Sequence, residues 1–277
     1  MKIKIVIFNL FLFCCLIGCS KGNDDQVPIP PKETLYFPPL NSAEWETISI
    51  EELDWNSSAE QSLYDFLETN ETEAFMILKD GKIVLEKYFG SFNASKNHTW
   101  NSAAKTLTAF TVGIAQKEGL LSIDNASSDY MGTGWSSLSP EQEARITVKN
   151  HLTMTTGLDY NGENSFCTDK ECLIYKDEPD TFWYYHNAAY TLLDNIVSGA
   201  ANQDFKEYFN EKIRDKIGMQ GSWIQTSYLN LYFSNARSMA RFGLLNLNKG
   251  IWEDTPVLDS PNYFRDMTTT SQDLNKA

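Results

Sequence analysis

The sequence predicts an α+β protein in which an antiparallel sheet lobe precedes a helical lobe. Three observations carry this. Two strand-like runs flank a tight-turn signal early in the chain, at residues 74–89. From Ser102 onward the apolar residues recur with helical spacing through most of the remaining length. The chain has 277 residues, 42% hydrophobic and 22% charged, enough to bury a full core in one large domain or two intimate lobes. Strands first and a helical body after them place the junction of the lobes at the helix that opens near Ser102.

The elements follow in chain order. Met1-Lys2-Ile3-Lys4 and the apolar run to Gly18 read as an export signal, 1–18, too short to span a membrane comfortably. Leu16-Ile17-Gly18-Cys19 resembles the lipobox of bacterial lipoproteins, so Cys19 is the expected lipid anchor and an outer membrane the expected location, at its periplasmic or surface face. Ser20 to Asp25 is similar to the acidic export tags of Bacteroidetes lipoproteins. Residues 19–34, with Val27-Pro28-Ile29-Pro30-Pro31, read as an extended tether, and the domain is expected over 35–277. Ser57-x-x-Glu60 predicts a capping box opening a helix with Leu63, Phe66 and Leu67 on one side. Ala74 to Leu78 and Ile83 to Phe89, around Asp80-Gly81, predict a hairpin. Thr147 is expected to cap a helix to Met154, closed near Gly157. Further amphipathic stretches run over Ala188–Val197, Phe205–Ile217 and Arg237–Leu247.

Composition excludes some partners. A net charge of −14 with no basic patch argues against nucleic acid. Cys14 and Cys15 leave with the signal, and Cys167 and Cys172 form the natural disulfide pair in an oxidising compartment. The three histidines, His98, His151 and His186, are scattered, so neither a metal site nor a cofactor is expected.

The tetrad Ser102-Ala103-Ala104-Lys105 carries the chemistry. In a helix, residues i and i+3 share a face, which sets a serine hydroxyl beside a lysine one turn on. Serine needs a base, and lysine serves only when neutral; burial and the helix dipole both push it that way. The free N–H groups of the first turn suit a developing oxyanion. Leu107, Phe110, Val112, Ile114 and Ala115 continue the helix, whose inner face is expected to carry Ser102 and Lys105 into a core. On the tetrad alone, a polar first turn with a surface lysine remains an open alternative.

A leaving group also needs a proton donor, and a Tyr beside a cation can supply one. Of three Tyr-x-Asn spacings, Tyr208-Phe209-Asn210 falls in an amphipathic helix and Tyr228-Leu229-Asn230 in a loop without a helix behind it. Tyr185-His186-Asn187 follows Phe182-Trp183-Tyr184 in an irregular aromatic segment directly before an apolar helix, which suits an exposed catalytic turn.

The hairpin Phe75–Phe89, Asn101-Ser102-Ala103-Ala104-Lys105-Thr106, Gly119-Leu120-Leu121-Ser122-Ile123-Asp124, the segment Ile146 to Leu158, Tyr185-x-Asn187 and Ser238 to Gly243, taken in order, resemble the serine β-lactamase and penicillin-binding-protein superfamily. The likeness is to its class C-like branch of esterases, D-amino-acid peptidases and 6-aminohexanoate-oligomer hydrolases. It implies a β-lactamase/transpeptidase-like fold and an acyl-enzyme on Ser102, with Lys105 as base, Tyr185 as proton shuttle and Asn187 binding substrate or Lys105. The implied substrate is a small molecule or peptide with an ester or amide bond. His151 matches a position that serves folding.

Relatives carry a third motif, Lys or His then Gly one residue later, on a late strand. The chain reaches Ala277 without it: Lys249-Gly250 has the wrong spacing and Lys79-Asp80-Gly81 is the hairpin turn. The resemblance therefore implies a domain whose C-terminal strands are missing. The competing expectation is a ligand-binding surface lipoprotein on the same fold, without turnover, using an aromatic-rich rim.

Overall fold

The computed structural model describes residues 35–271. The export segment 1–18, Cys19 and the tether 19–34 lie outside the described residues, as do residues 272–277.

Helix α1 (Glu60–Thr69) is preceded by a 3-10 turn, and the first cap is Asn56, whose Oδ1 accepts from Ser58 N at 3.2 Å. The expected Ser57/Glu60 capping box is not used, because that turn occupies Ser57–Ala59 and delays the helix to Glu60. Strands β1 (Ala74–Lys79) and β2 (Lys82–Tyr88) form the expected antiparallel hairpin. Its two turn residues, Asp80 at φ +51° and Gly81 at φ +87°, both lie in the left-handed region that such two-residue turns require. Gly81 is fixed twice over, since a Cβ there would sit 1.9 Å from Tyr36 O. Thr47 bridges Ile83 in parallel on the free edge of β2, through Ile83 N to Glu46 O and Ile48 N to Ile83 O.

A second sheet has the order β3-β5-β4, from β3 (His98–Thr99), β4 (Ser222–Thr226) and β5 (Leu229–Ser234). The sequence reading placed Tyr228 to Asn230 in a loop; the structure makes it the start of a strand. The turn is carried by Ser227 at φ +52° without any Asn-Gly or Asp-Gly signal.

After β3 the chain forms α2 (Ala104–Lys117), in which Leu107, Phe110, Val112 and Ala115 are completely buried. Truncating Phe110 to Ala would cost about 3–5 kcal/mol at such a site. Around it the chain lays α3 (Ser128–Met131), α4 (Pro140–Glu143) and α5 (Val148–Thr153). Next come α6 (Asn187–Thr191), α7 (Leu193–Ala201) and α8 (Phe205–Phe209), which continues into a π-helical turn over Asn210–Arg214. Helix α5 starts on Thr147 as expected, with a reciprocal Thr147–Asn150 capping box, and ends at Met154 in the left-handed region. Helix α9 (Ala236–Leu247) grips the first hairpin: Arg237 makes two parallel bonds, Nε to Oε1 and Nη2 to Oε2 of Glu86, each 2.7 Å. Arg241, on the same helix, donates to Pro38 O, Pro39 O and Ile217 O and so fastens the incoming segment. The hairpin of β6 (Ile251–Trp252) and β7 (Thr255–Pro256) leads to α10 (Pro261–Met267), whose Tyr263 ring occupies the gap that Gly113 leaves on α2.

Cys167 and Cys172 are joined by a disulfide. Among the described residues no helix is long and apolar enough to cross a membrane, and no group of three or more His, Cys, Asp or Glu could hold a metal.

Candidate functional site

The segment entering α2 is held from below by Trp100. Its backbone N–H donates to Tyr232 O at 2.8 Å and its indole Nε1 to Ser234 Oγ at 2.7 Å, both on β5. The next residue, Asn101, sits at φ +45°, a left-handed conformation that asparagine tolerates better than most residues. It opens a 3-10 turn, Asn101–Ala103, in which about three residues per turn bring positions i and i+3 over one another. Ser102 is exposed, and among the described residues neither its hydroxyl nor its N–H makes a hydrogen bond. The expectation that the inner face carries Ser102 into the core is thus corrected. The 3-10 turn and the anchored Trp100 rotate Ser102 outward and leave Lys105 half-buried behind it.

Lys105 is where three segments converge. Its Nζ donates to Asn187 Oδ1 at 2.8 Å and stands 5.1 Å from the centre of the Tyr185 ring and 5.7 Å from that of Tyr190. Asn187 is buried, whereas Tyr185 is 42% exposed. The structure therefore brings Lys105, Tyr185 and Asn187 together one turn from Ser102.

Sequence reasoning missed Tyr190, whose hydroxyl donates to Lys105 O at 2.8 Å and ties α6 to α2. Burial pushes its phenol far above the ordinary range, so it stays protonated and serves as a brace. Sequence reasoning also left His186 open between narrowing the pocket and packing. It is the N-cap of α6: Nδ1 accepts from Ala189 N at 3.1 Å and Nε2 donates to Asp159 O at 3.1 Å. Burial lowers its pKa, which keeps the ring neutral as this pair of roles demands. His151 supports the same short helix from its other side, with Nδ1 donating to Ala189 O at 2.7 Å; burial lowers its pKa to about 4. Neither role had a strong sequence signal, since His is not a favoured cap and α6 is only five residues long.

The scaffold matches a known family model, described as Beta-lactamase, over residues 71–276. The chain belongs to the beta-lactamase family. A Bacillus subtilis (strain 168) protein carrying the name "Putative penicillin-binding protein PbpX" is 26% identical over 166 residues, 55% of this chain and 41% of that protein. The match thus spans about two fifths of that curated relative's length. Among solved structures, a "Putative 6-aminohexanoate-dimer hydrolase" from Bacillus anthracis superposes with TM-score 0.65 at 19% identity, covering 84% of this chain and 69% of its own. An octameric penicillin-binding protein homologue from Pyrococcus abyssi gives TM-score 0.60 at 16% identity, covering 79% and 61%. At these identities the likeness is one of fold, and the fold is the α+β, β-lactamase/transpeptidase-like one with a helical portion and small antiparallel sheets. The family is one of serine hydrolases.

Proposed function

We propose that this chain is a serine hydrolase that forms an acyl-enzyme on Ser102. The observation that carries the reading is the convergence on Lys105, whose Nζ donates to Asn187 Oδ1 at 2.8 Å and faces the Tyr185 ring at 5.1 Å, one turn from an unbonded serine. In the first step Ser102 Oγ attacks the carbonyl carbon of an ester or amide and passes its proton to Lys105 Nζ, the general base. The carbonyl electron pair moves onto oxygen, where the free N–H of Ser102 stabilises it. Collapse breaks the bond to the leaving alcohol or amine, which takes a proton through Tyr185. Water then hydrolyses the acyl-serine with the same groups. Asn187 positions Lys105 throughout. β-Lactams, D-amino-acid peptides, simple esters and amide oligomers are the substrates to screen, as the resemblance to this superfamily implies.

The test is the intact mass of the protein after exposure to a fluorophosphonate, alongside Ser102→Ala, with folding checked by circular dichroism. One adduct, absent from the variant, is expected. A folded protein that takes up no adduct would remove the hydrolase reading. One observation favours ligand binding without turnover as a second reading: Tyr160 stacks on Tyr184 at 4.1 Å and Phe182 at 5.5 Å, and Phe182 to Tyr185 are all partly exposed. Saturable binding that survives Ser102→Ala would support it. Export and lipidation at Cys19 complete the proposal; metabolic labelling with a fatty acid should be lost in Cys19→Ala.

A further inference from the structure

The turn that delivers Ser102 is made in a single step. Strand β3 ends at Thr99, which pairs with Phe233 on β5, and the 3-10 turn opens at Asn101. Only Trp100 stands between them, and it is pinned to the same strand through Tyr232 O and Ser234 Oγ. Downstream the chain is pinned again, since Ala104, Leu107 and Thr108 are buried on the inner side of α2. Between these two fixed points Asn101, Ser102 and Ala103 are all exposed.

The change of direction is taken up at Asn101. Its φ of +45° lies in the left-handed region, where the Cβ of an L-residue crowds the carbonyl oxygen. Glycine escapes that crowding, asparagine is penalised less than alanine, and β-branched residues are penalised most. Such a conformation persists only where the surroundings impose it. Thr99 adds a local grip to the strand pairing: its hydroxyl accepts from Asn101 N at 3.2 Å and donates to Asn101 Oδ1 at 3.3 Å. Relaxing residue 101 toward the right-handed region would swing the first turn about its junction with α2 and carry Ser102 off the face it shares with Lys105.

We propose that Asn101 is a positioning residue, whose left-handed backbone, clamped by the Thr99 hydroxyl, holds Ser102 out to substrate. The inference rests on the acyl-enzyme reading above and concerns how the nucleophile is presented, not which group activates it. Asn101 therefore acts on the rate of attack rather than on the affinity for what is attacked. A residue that only supported the fold would lower the melting temperature and leave the labelling rate of the folded protein unchanged.

The test is saturation labelling kinetics with a fluorophosphonate on the full chain, as wild type, Asn101→Gly, Asn101→Ala, Asn101→Val, Thr99→Ser and Thr99→Val, with a melting curve for each. The limiting labelling rate should stay within about threefold of wild type in Asn101→Gly and Thr99→Ser, and fall about fivefold in Asn101→Ala and Thr99→Val. It should fall about 10–10²-fold in Asn101→Val, and the half-saturating probe concentration should move less than about threefold throughout. Thr99→Val leaves residue 101 unchanged and reads the same effect if Asn101→Val does not fold. A wild-type rate in every folded variant, or a loss in Asn101→Gly as deep as in Asn101→Val, would overturn the proposal. A second series reads presentation without activation by Lys105: alkylation of Ser102→Cys by iodoacetamide, followed by mass on the peptide that carries position 102. Adding Asn101→Val should slow it about fivefold, and adding Asn101→Gly should not. If that pattern appears while wild type takes up no fluorophosphonate, the hydrolase reading fails and the presentation of position 102 stands. If wild type labels and neither series responds to residue 101, the hydrolase reading stands and the positioning role fails.

Discussion

Lys105 has two unlike sides. Toward the interior it meets Asn187, buried and hydrogen-bonded to it, and Tyr190, braced on the Lys105 carbonyl, with His186 and His151 holding α6 in place. Toward solvent lie Ser102, one turn before it, and Tyr185, exposed side chains whose hydroxyls make no hydrogen bond among the described residues. The difference separates two jobs. Packing and hydrogen bonds fix where the lysine nitrogen sits, and the atoms that would meet a substrate are left unbonded at the open face.

Removing the group on which the two sides meet should have the largest effect. Lys105→Met keeps the length of the side chain but deletes the base, and the rate of Ser102 acylation should fall about 10²–10⁴-fold. Fluorophosphonate labelling followed over time measures it. A variant that labels at the wild-type rate would mean the two sides do not act through Lys105.

The interior side should be the acid-sensitive one. His151 has a folded pKa of about 4 against an ordinary 6.5, so the folded state binds fewer protons than the unfolded one. Its contribution is complete above about pH 6.5 and is lost as pH falls towards 4, a total of roughly 3 kcal/mol at about 1.4 per unit. The His186 shift has the same sign and adds to the loss. Urea unfolding between pH 7 and 4 would show the slope, and a folded His151→Gln variant should flatten it. Because both rings hold α6, acylation should decline in the same window.

Much of this was legible beforehand, and what was not has physical reasons. The hairpin turn was readable because Asp80-Gly81 needs two left-handed residues, which few pairs supply. The meeting of Lys105 with Tyr185 and Asn187 was readable, because Tyr185-His186-Asn187 precedes an apolar helix and Lys105 lies on the helix that opens after Asn101. The β4–β5 hairpin was not, since Ser227-Tyr228 carries no turn signal and the pairing of β5 with β3 spans more than a hundred residues of chain. The outward rotation of Ser102 was not either. It depends on a 3-10 turn and on the Trp100 contact with Ser234, both set by tertiary packing.

The two tyrosines test the comparison directly. Tyr190→Phe removes one buried hydrogen bond and should cost about 1 kcal/mol of stability while changing acylation little. Tyr185→Phe should do the reverse, leaving stability within about 0.5 kcal/mol and slowing turnover of an amide about 10²-fold. Melting curves and single-turnover rates on both proteins separate the effects. If the two substitutions behaved alike, the division into a structural and a reactive side would fail.

The smallest effect should come from the outer edge of the open face. Phe182 is 37% exposed and its ring stacks on Tyr160 at 5.5 Å. Phe182→Ala gives up one aromatic pair and part of a partly buried ring, so the stability loss should be about 0.5–1.5 kcal/mol. Acylation by a small fluorophosphonate should be unchanged, because Phe182 makes its ring contact with Tyr160 and has no part in the Lys105, Tyr185 and Asn187 contacts. A larger substrate or ligand that lies across the rim would register the change as weaker binding with an unaltered chemical step. A stability loss several times larger would show instead that the aromatic segment is part of the packing that positions Tyr185, and the boundary between the two sides would have to be drawn outside it.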